Sequence, residues 1–157
     1  GERGADDQTE LTEEAAAALS RRHGTPENAG WQEFVMVMNA FDTNFDDENE
    51  FYAVNTIPFA YLERPLRIER SKPVRIYLVN ILEFDLVNSF HLHANFFHYY
   101  PTGTSLTPSE FTDTIIQGQA QRGILEFSYK YPGMYMFHAH VTEFAELGWN
   151  GMFEVLS

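Results

Sequence analysis

Downstream of Trp31 the chain alternates between short apolar runs and polar stretches rich in turn-forming residues. The first run, Phe34 to Asn39 (FVMVMN), is compact, and FDTNFDDENE behind it carries the Asp and Asn of a turn. Phe51 to Asn55, Leu66 to Glu69, Val74 to Ile81 and Ser89 to Tyr99 come next. Leu66 and Ile68 alternate with Arg67 and Glu69, the period of two expected of a strand with one face buried. Pro101 to Pro108 reads as a loop. Thr114 to Gln117, Arg122 to Tyr129, Gly133 to His140 and Gly151 to Leu156 complete the series. Short strands at regular intervals, with turns between them, predict an all-β sandwich.

Residues 1–29 break this pattern. Asp6 to Arg22 predicts a helix, with Glu13 and Glu14 at its acidic start, AAAALS in its middle and Arg21-Arg22 matching the negative end of the dipole. Gly24 and Pro26 end it. The expected organisation is an acidic N-terminal segment with a helix, 1–29, followed by one β domain, 30–157. Two readings of the segment stand side by side: a solvated linker, or an arm docked on the domain. A start of GERGADD, without Met, reads as a mature or excised fragment.

Composition narrows the function. A net charge of −13 argues against nucleic acid, whose phosphates need a basic surface, and sets up a field that attracts cations. There are no cysteines, so disulfides, iron–sulfur clusters and zinc ribbons are excluded. A blue electron-transfer copper site, which needs a thiolate, is excluded too. No apolar stretch approaches the roughly 20 residues of a membrane-crossing helix.

Four of the six histidines form two H-x-H pairs, His91/His93 in SFHLHANFFHYYP and His138/His140 in YPGMYMFHAHVTEF. In a strand such residues share a face, about 6.6 Å apart at the backbone. Parallel imidazoles at that spacing reach two neighbouring ions more readily than one. Imidazole suits zinc, copper, iron and nickel, so the ligands do not choose the metal. His23 reads as incidental, and His98, out of phase with His93, as supporting or surface. Asp42, Asp46, Asp47, Glu48 and Glu50 lack the glycine and spacing of a calcium loop and read as a solvated turn.

FHLHANFF, followed by DTIIQGQAQRGILEFSYKYPGMYMFHAHVTEFAELGWNGMFEV, resembles the histidine-bearing cupredoxin domains of multicopper oxidases from about Phe34 to Val155. The resemblance implies a cupredoxin-like Greek-key β-sandwich and copper as the cofactor. It implies that His91, His93, His138 and His140 are half the ligands of a type 2/type 3 cluster. The type 1 copper ligands of that family fall on Asn88, Ala139, Phe144 and Trp149, none of which supplies an imidazole, thiolate or thioether. The remaining imidazoles must then come from a second copy in a homo-oligomer, or from a second cupredoxin domain, unless the site holds fewer metals. Glu143 is the candidate catalytic carboxylate for proton transfer, with Glu146 behind it. Asp113 reads as a turn residue. The foremost function is a copper-dependent oxidoreductase without type 1 copper, extracytoplasmic, reducing oxygen or another small oxidant. The alternatives are a non-catalytic copper-binding, storage or sensing module of a larger protein, tethered upstream to a membrane or transporter, and a cupin-like mononuclear metalloenzyme.

Overall fold

The computed structural model describes residues 30–157; the helix expected over Asp6 to Arg22, His23 and the 1–29 segment lie outside the described residues. Eleven strands and two short helices follow in the order β1 (Gln32–Phe41), β2 (Phe51–Val54), α1 (Ala60–Glu63), β3 (Arg64–Glu69), β4 (Val74–Asn80), β5 (Val87–Leu92), β6 (Phe97–Pro101), β7 (Glu110–Thr112), β8 (Thr114–Gly118), β9 (Arg122–Phe127), β10 (Gly133–His138), α2 (Thr142–Glu146) and β11 (Asn150–Leu156). They form a six-stranded sheet, β2-β1-β4-β9-β6-β7, and a five-stranded sheet, β3-β11-β10-β5-β8. This is the all-β Greek-key sandwich expected from the sequence.

Alternation along the strands drives the packing. Phe90 and Leu92 on β5, Phe137 on β10, and Phe153 and Val155 on β11 point inward against Met36, Met38, Ile76, Leu78 and Leu125 of the other sheet. Phe90 sits at the centre, with ring centroids of Phe97, Phe137 and Trp149 at 5.8, 5.9 and 5.9 Å. Gly151 leaves room for the Phe137 ring, which a Cβ there would meet head-on. On the outer face of the six-stranded sheet, Glu33, Arg75 and Glu126 stand in register. Arg75 is fully buried, binds both carboxylates at 2.9 Å, and lies 3.9 Å beneath the Trp31 ring.

Two expectations need correction, and both bear on the site. Ser89 to Tyr99 is not one strand. It breaks after Leu92, turns at His93 and Ala94, and resumes as β6 in the opposite sheet. Ala94 takes a left-handed conformation, φ 55°, which ends the pleat and carries the chain across the sandwich. Gly133 to His140 likewise ends early, at His138, as the chain bends toward α2. Each H-x-H pair therefore has one histidine on a strand and one just past its end.

Candidate metal centre

Pairing in the five-stranded sheet brings the two motifs together. His91 on β5 is the direct cross-strand partner of His138 on β10. His93 follows onto the turn, where its backbone N–H donates to the Met136 carbonyl at 2.9 Å. The Tyr129 hydroxyl donates to the His93 carbonyl at 2.8 Å and holds that turn. Past the end of β10, the His140 N–H donates to the Ser89 hydroxyl at 2.7 Å.

The rings gather accordingly. His91 is central, with centroids of His93, His138 and His140 at 5.1, 5.3 and 5.2 Å. Nitrogens of His91, His93 and His138 all lie within 4.8 Å of one another, and His140 stands outside that group. The imidazoles thus do not sit on parallel stalks. The turn at Ala94 swings His93 over His138, so that the nitrogens of three converge, and the His140 ring packs beside His91 and His138 at 5.2 and 5.7 Å.

Hydrogen bonds fix the tautomers. A carbonyl oxygen only accepts, so the His91 Nδ1 donates its proton to the Asp113 carbonyl at 3.0 Å, with the Thr114 hydroxyl 2.8 Å away. The His138 Nδ1 likewise donates to the Ala139 carbonyl at 2.6 Å. With Nδ1 carrying the proton, the neutral form of either ring leaves Nε2 bare, the arrangement in which an outer hydrogen bond orients a ligand toward metal. The Nε2 atoms of His93 and His138 are 2.9 Å apart. That is about the separation of two adjacent ligands each roughly 2.0–2.1 Å from one ion. Burial, and then repulsion from the neighbouring imidazoles, holds His93 below the ordinary histidine range. Burial does the same to His138, against the partly opposing bond to Ala139. Both effects favour the neutral form, the one that binds metal.

A cavity of about 270 Å³ opens beside His138 and His140, bordered by Met136, Thr142, Glu146 and Asn150. Both carboxylates of α2 are exposed; Glu146 lines the cavity and Glu143 does not. Its negative charge helps to raise the Tyr52 hydroxyl, after burial and the Asp85 carboxylate. His98 lies in the other sheet, its ring 4.7 Å from that of Phe111. Asp42, Asp46 and Glu50 also approach within 4.8 Å. Asp42, however, accepts from the loop's own backbone at Asn44, Phe45, Asp46 and Asp47, and Glu50 from Thr43 and Asn44, as in a self-capped turn.

The sequence missed the outer partners of the cluster. Asp113 contributes its backbone carbonyl and Thr114 its hydroxyl, both from beside β8 and more than twenty residues from His91. Only an Asp-Thr pair preceding a strand hinted at them. The four residues on which the resemblance places the type 1 ligands are buried: Asn88 on β5, Ala139 past the end of β10 and Trp149 before β11 are 0% exposed, and Phe144 on α2 is 6% exposed.

A family model described as multicopper oxidase matches residues 30–157. The matched family is not that of a cupin, which sets the mononuclear cupin reading aside. A crystal structure of a multicopper oxidase superposes with a TM-score of 0.79 at 62% identity, covering 80% of this chain and 44% of that one. A copper-containing nitrite reductase from Thermus scotoductus SA-01 has a TM-score of 0.76 at 19% identity, over 88% of this chain and 33% of its own. At that identity the likeness is one of fold. Hephaestin of Mus musculus is 27% identical over 120 residues, which are 76% of this chain and 10% of hephaestin. The chain thus spans less than half the length of each of these proteins.

Proposed function

We propose, from the premise that this chain belongs to the multicopper oxidase family, that His91, His93, His138 and His140 hold copper in a histidine-only centre of the type 2/type 3 kind. Copper is the cofactor of the family, and the donor set fits it: two imidazoles with Nε2 left bare by their hydrogen bonds, and two more in ring contact with them. Bound there, copper supplies one-electron redox chemistry toward oxygen or another small oxidant. The convergence of His91, His93 and His138 within 4.8 Å is the observation that carries the reading.

The chain's own groups have definable tasks. The Asp113 and Ala139 carbonyls orient His91 and His138, and Tyr129 holds the His93 turn. Glu146 borders the cavity beside the histidines and is placed to deliver protons there; Glu143, three residues earlier on the same helix and exposed like Glu146, is the other candidate. His93 and His140 are exposed, so the centre opens outward and is completed from outside by a second copy or a second cupredoxin domain. Electrons also come from outside, because Asn88, Ala139, Phe144 and Trp149 offer no type 1 ligand. We read the protein as extracytoplasmic, in keeping with the family. Among the described residues no helix is long and apolar enough to cross a membrane.

The filled type 1 positions also favour a second reading, a copper-binding module without turnover. Oxygen and nitrite consumption by the copper-loaded chain, with a phenolic reductant and beside His138→Ala, separates the two. The enzyme reading predicts turnover that the variant loses. Absence of turnover in the parent, alone and with its partner domain, contradicts it and leaves the module.

A further inference from the structure

Three of the five methionines share one surface, and the histidine centre does not account for them. Met36 and Met38 are fully buried on β1. Met134 and Met136 instead alternate with the core-packed Tyr135 and Phe137 on β10, which turns them to the outer face of the five-stranded sheet. Met152 alternates in the same way with buried Gly151 and Phe153 on β11. Met152 is the direct cross-strand partner of Met136. On the other side of Met136 stands His93, whose N–H donates to the Met136 carbonyl. Two rows therefore run across the sheet, Met152–Met136–His93 and Asn150–His138–His91, with Met134 one pleat below the first.

The geometry points to a second, thioether site for a soft monovalent cation, Cu(I), formed by Met134, Met136 and Met152 beside the histidine centre. Directly opposed residues on antiparallel strands have Cβ atoms about 4.5–5.5 Å apart, and diagonal neighbours about 7–8 Å. Each methionine adds three rotatable bonds beyond that, so the three sulfurs are able to converge on one ion. Thioether sulfur selects Cu(I) over harder divalent ions, whereas the imidazoles next to it serve Cu(II) as well. Met134 is 53% exposed, so an ion reaches the site from solvent, and the chain's charge of −13 favours cations near its surface. Methionines on an open face also suit an adaptable protein contact. That role accounts for the apolar surface but not for selectivity toward a soft ion. The site stands whether or not the histidines hold a polynuclear centre.

Silver(I), a redox-silent analogue of Cu(I), tests the assignment on the full chain labelled with methyl-carbon-13 methionine. At one equivalent the methyl signals of Met134, Met136 and Met152 are expected to shift while those of Met36 and Met38 stay. Met136→Leu with Met152→Leu, a volume-conserving change, is expected to weaken silver binding at least tenfold and to leave Cu(II) binding by the histidines intact. In His93→Ala with His138→Ala the three methyl shifts are expected to persist, which separates this site from the histidine centre. Unshifted methyls, undiminished silver binding in the leucine variant, or loss of the shifts in the histidine variant would each overturn the proposal.

Discussion

His138 and His140 stand at the open end of β10 with their rings toward His91, while Ala139 between them is turned into the core with no exposed area. One residue separates two environments with opposite demands. At the surface an imidazole needs an outer hydrogen bond and a bare nitrogen, and the Asp113 and Ala139 carbonyls provide this for His91 and His138. Inside, a position must fill volume. The positions on which the resemblance places the type 1 ligands are packed with Asn88, Ala139, Phe144 and Trp149, and the Trp149 ring lies edge-on to Phe90 and Phe137. The candidate metal ligands thus face outward at the end of the sheet, and the residues packed inward beside them are core. The filled region is packed for stability, and the histidine region is the one proposed to hold copper.

Truncation in the filled region should produce the largest effect. Trp149→Ala is expected to destabilise the fold by about 3–5 kcal/mol in chemical denaturation, as loss of a buried aromatic does. His138→Ala should leave the stability of the metal-free protein nearly unchanged, because its ring is only half-buried. It should weaken copper binding at least about 100-fold in competition with a chelator, the upper end of what loss of a mere outer partner costs. A result the other way round would erase the distinction. Ala139→Cys restores the thiol in the filled region. It is expected to cost about 1–3 kcal/mol through overpacking and to give no intense blue charge-transfer band. Such a band would show that the neighbouring side chains do not close the position.

The smallest effect is on pH. Burial lowers His93 and His138 in the folded, metal-free protein, so the unfolded chain takes up protons first. Stability should be level above the ordinary histidine value of about 6.5, then fall as pH drops through it toward the lowered values. Thermal melts between pH 5 and 8 measure this, and His93→Ala with His138→Ala should flatten the slope.

Much of this contrast was legible in the sequence. The two H-x-H pairs name the outward residues, and the missing cysteine marks the inward position as lost. The strand series was legible because each run is bounded by turn residues. The break after Leu92 was not. FHLHANFFHYY is aromatic throughout, and the left-handed turn falls on Ala94, which carries no glycine or proline signal. That one turn puts His98 in the opposite sheet and makes three imidazoles converge. β7, α1 and α2 are too short for a periodic signal. The carbonyls that set the tautomers belong to residues whose proximity depends on tertiary pairing, and the same holds for the register that aligns Met136 with Met152.

Metal content with spectroscopy on the purified full chain, loaded with Cu(II) and freed of excess, tests the copper centre most directly. The expected result is more than one copper for every two chains, an absorption band from a coupled type 3 pair, and no intense type 1 band. One zinc or iron per chain, in place of copper, would contradict it.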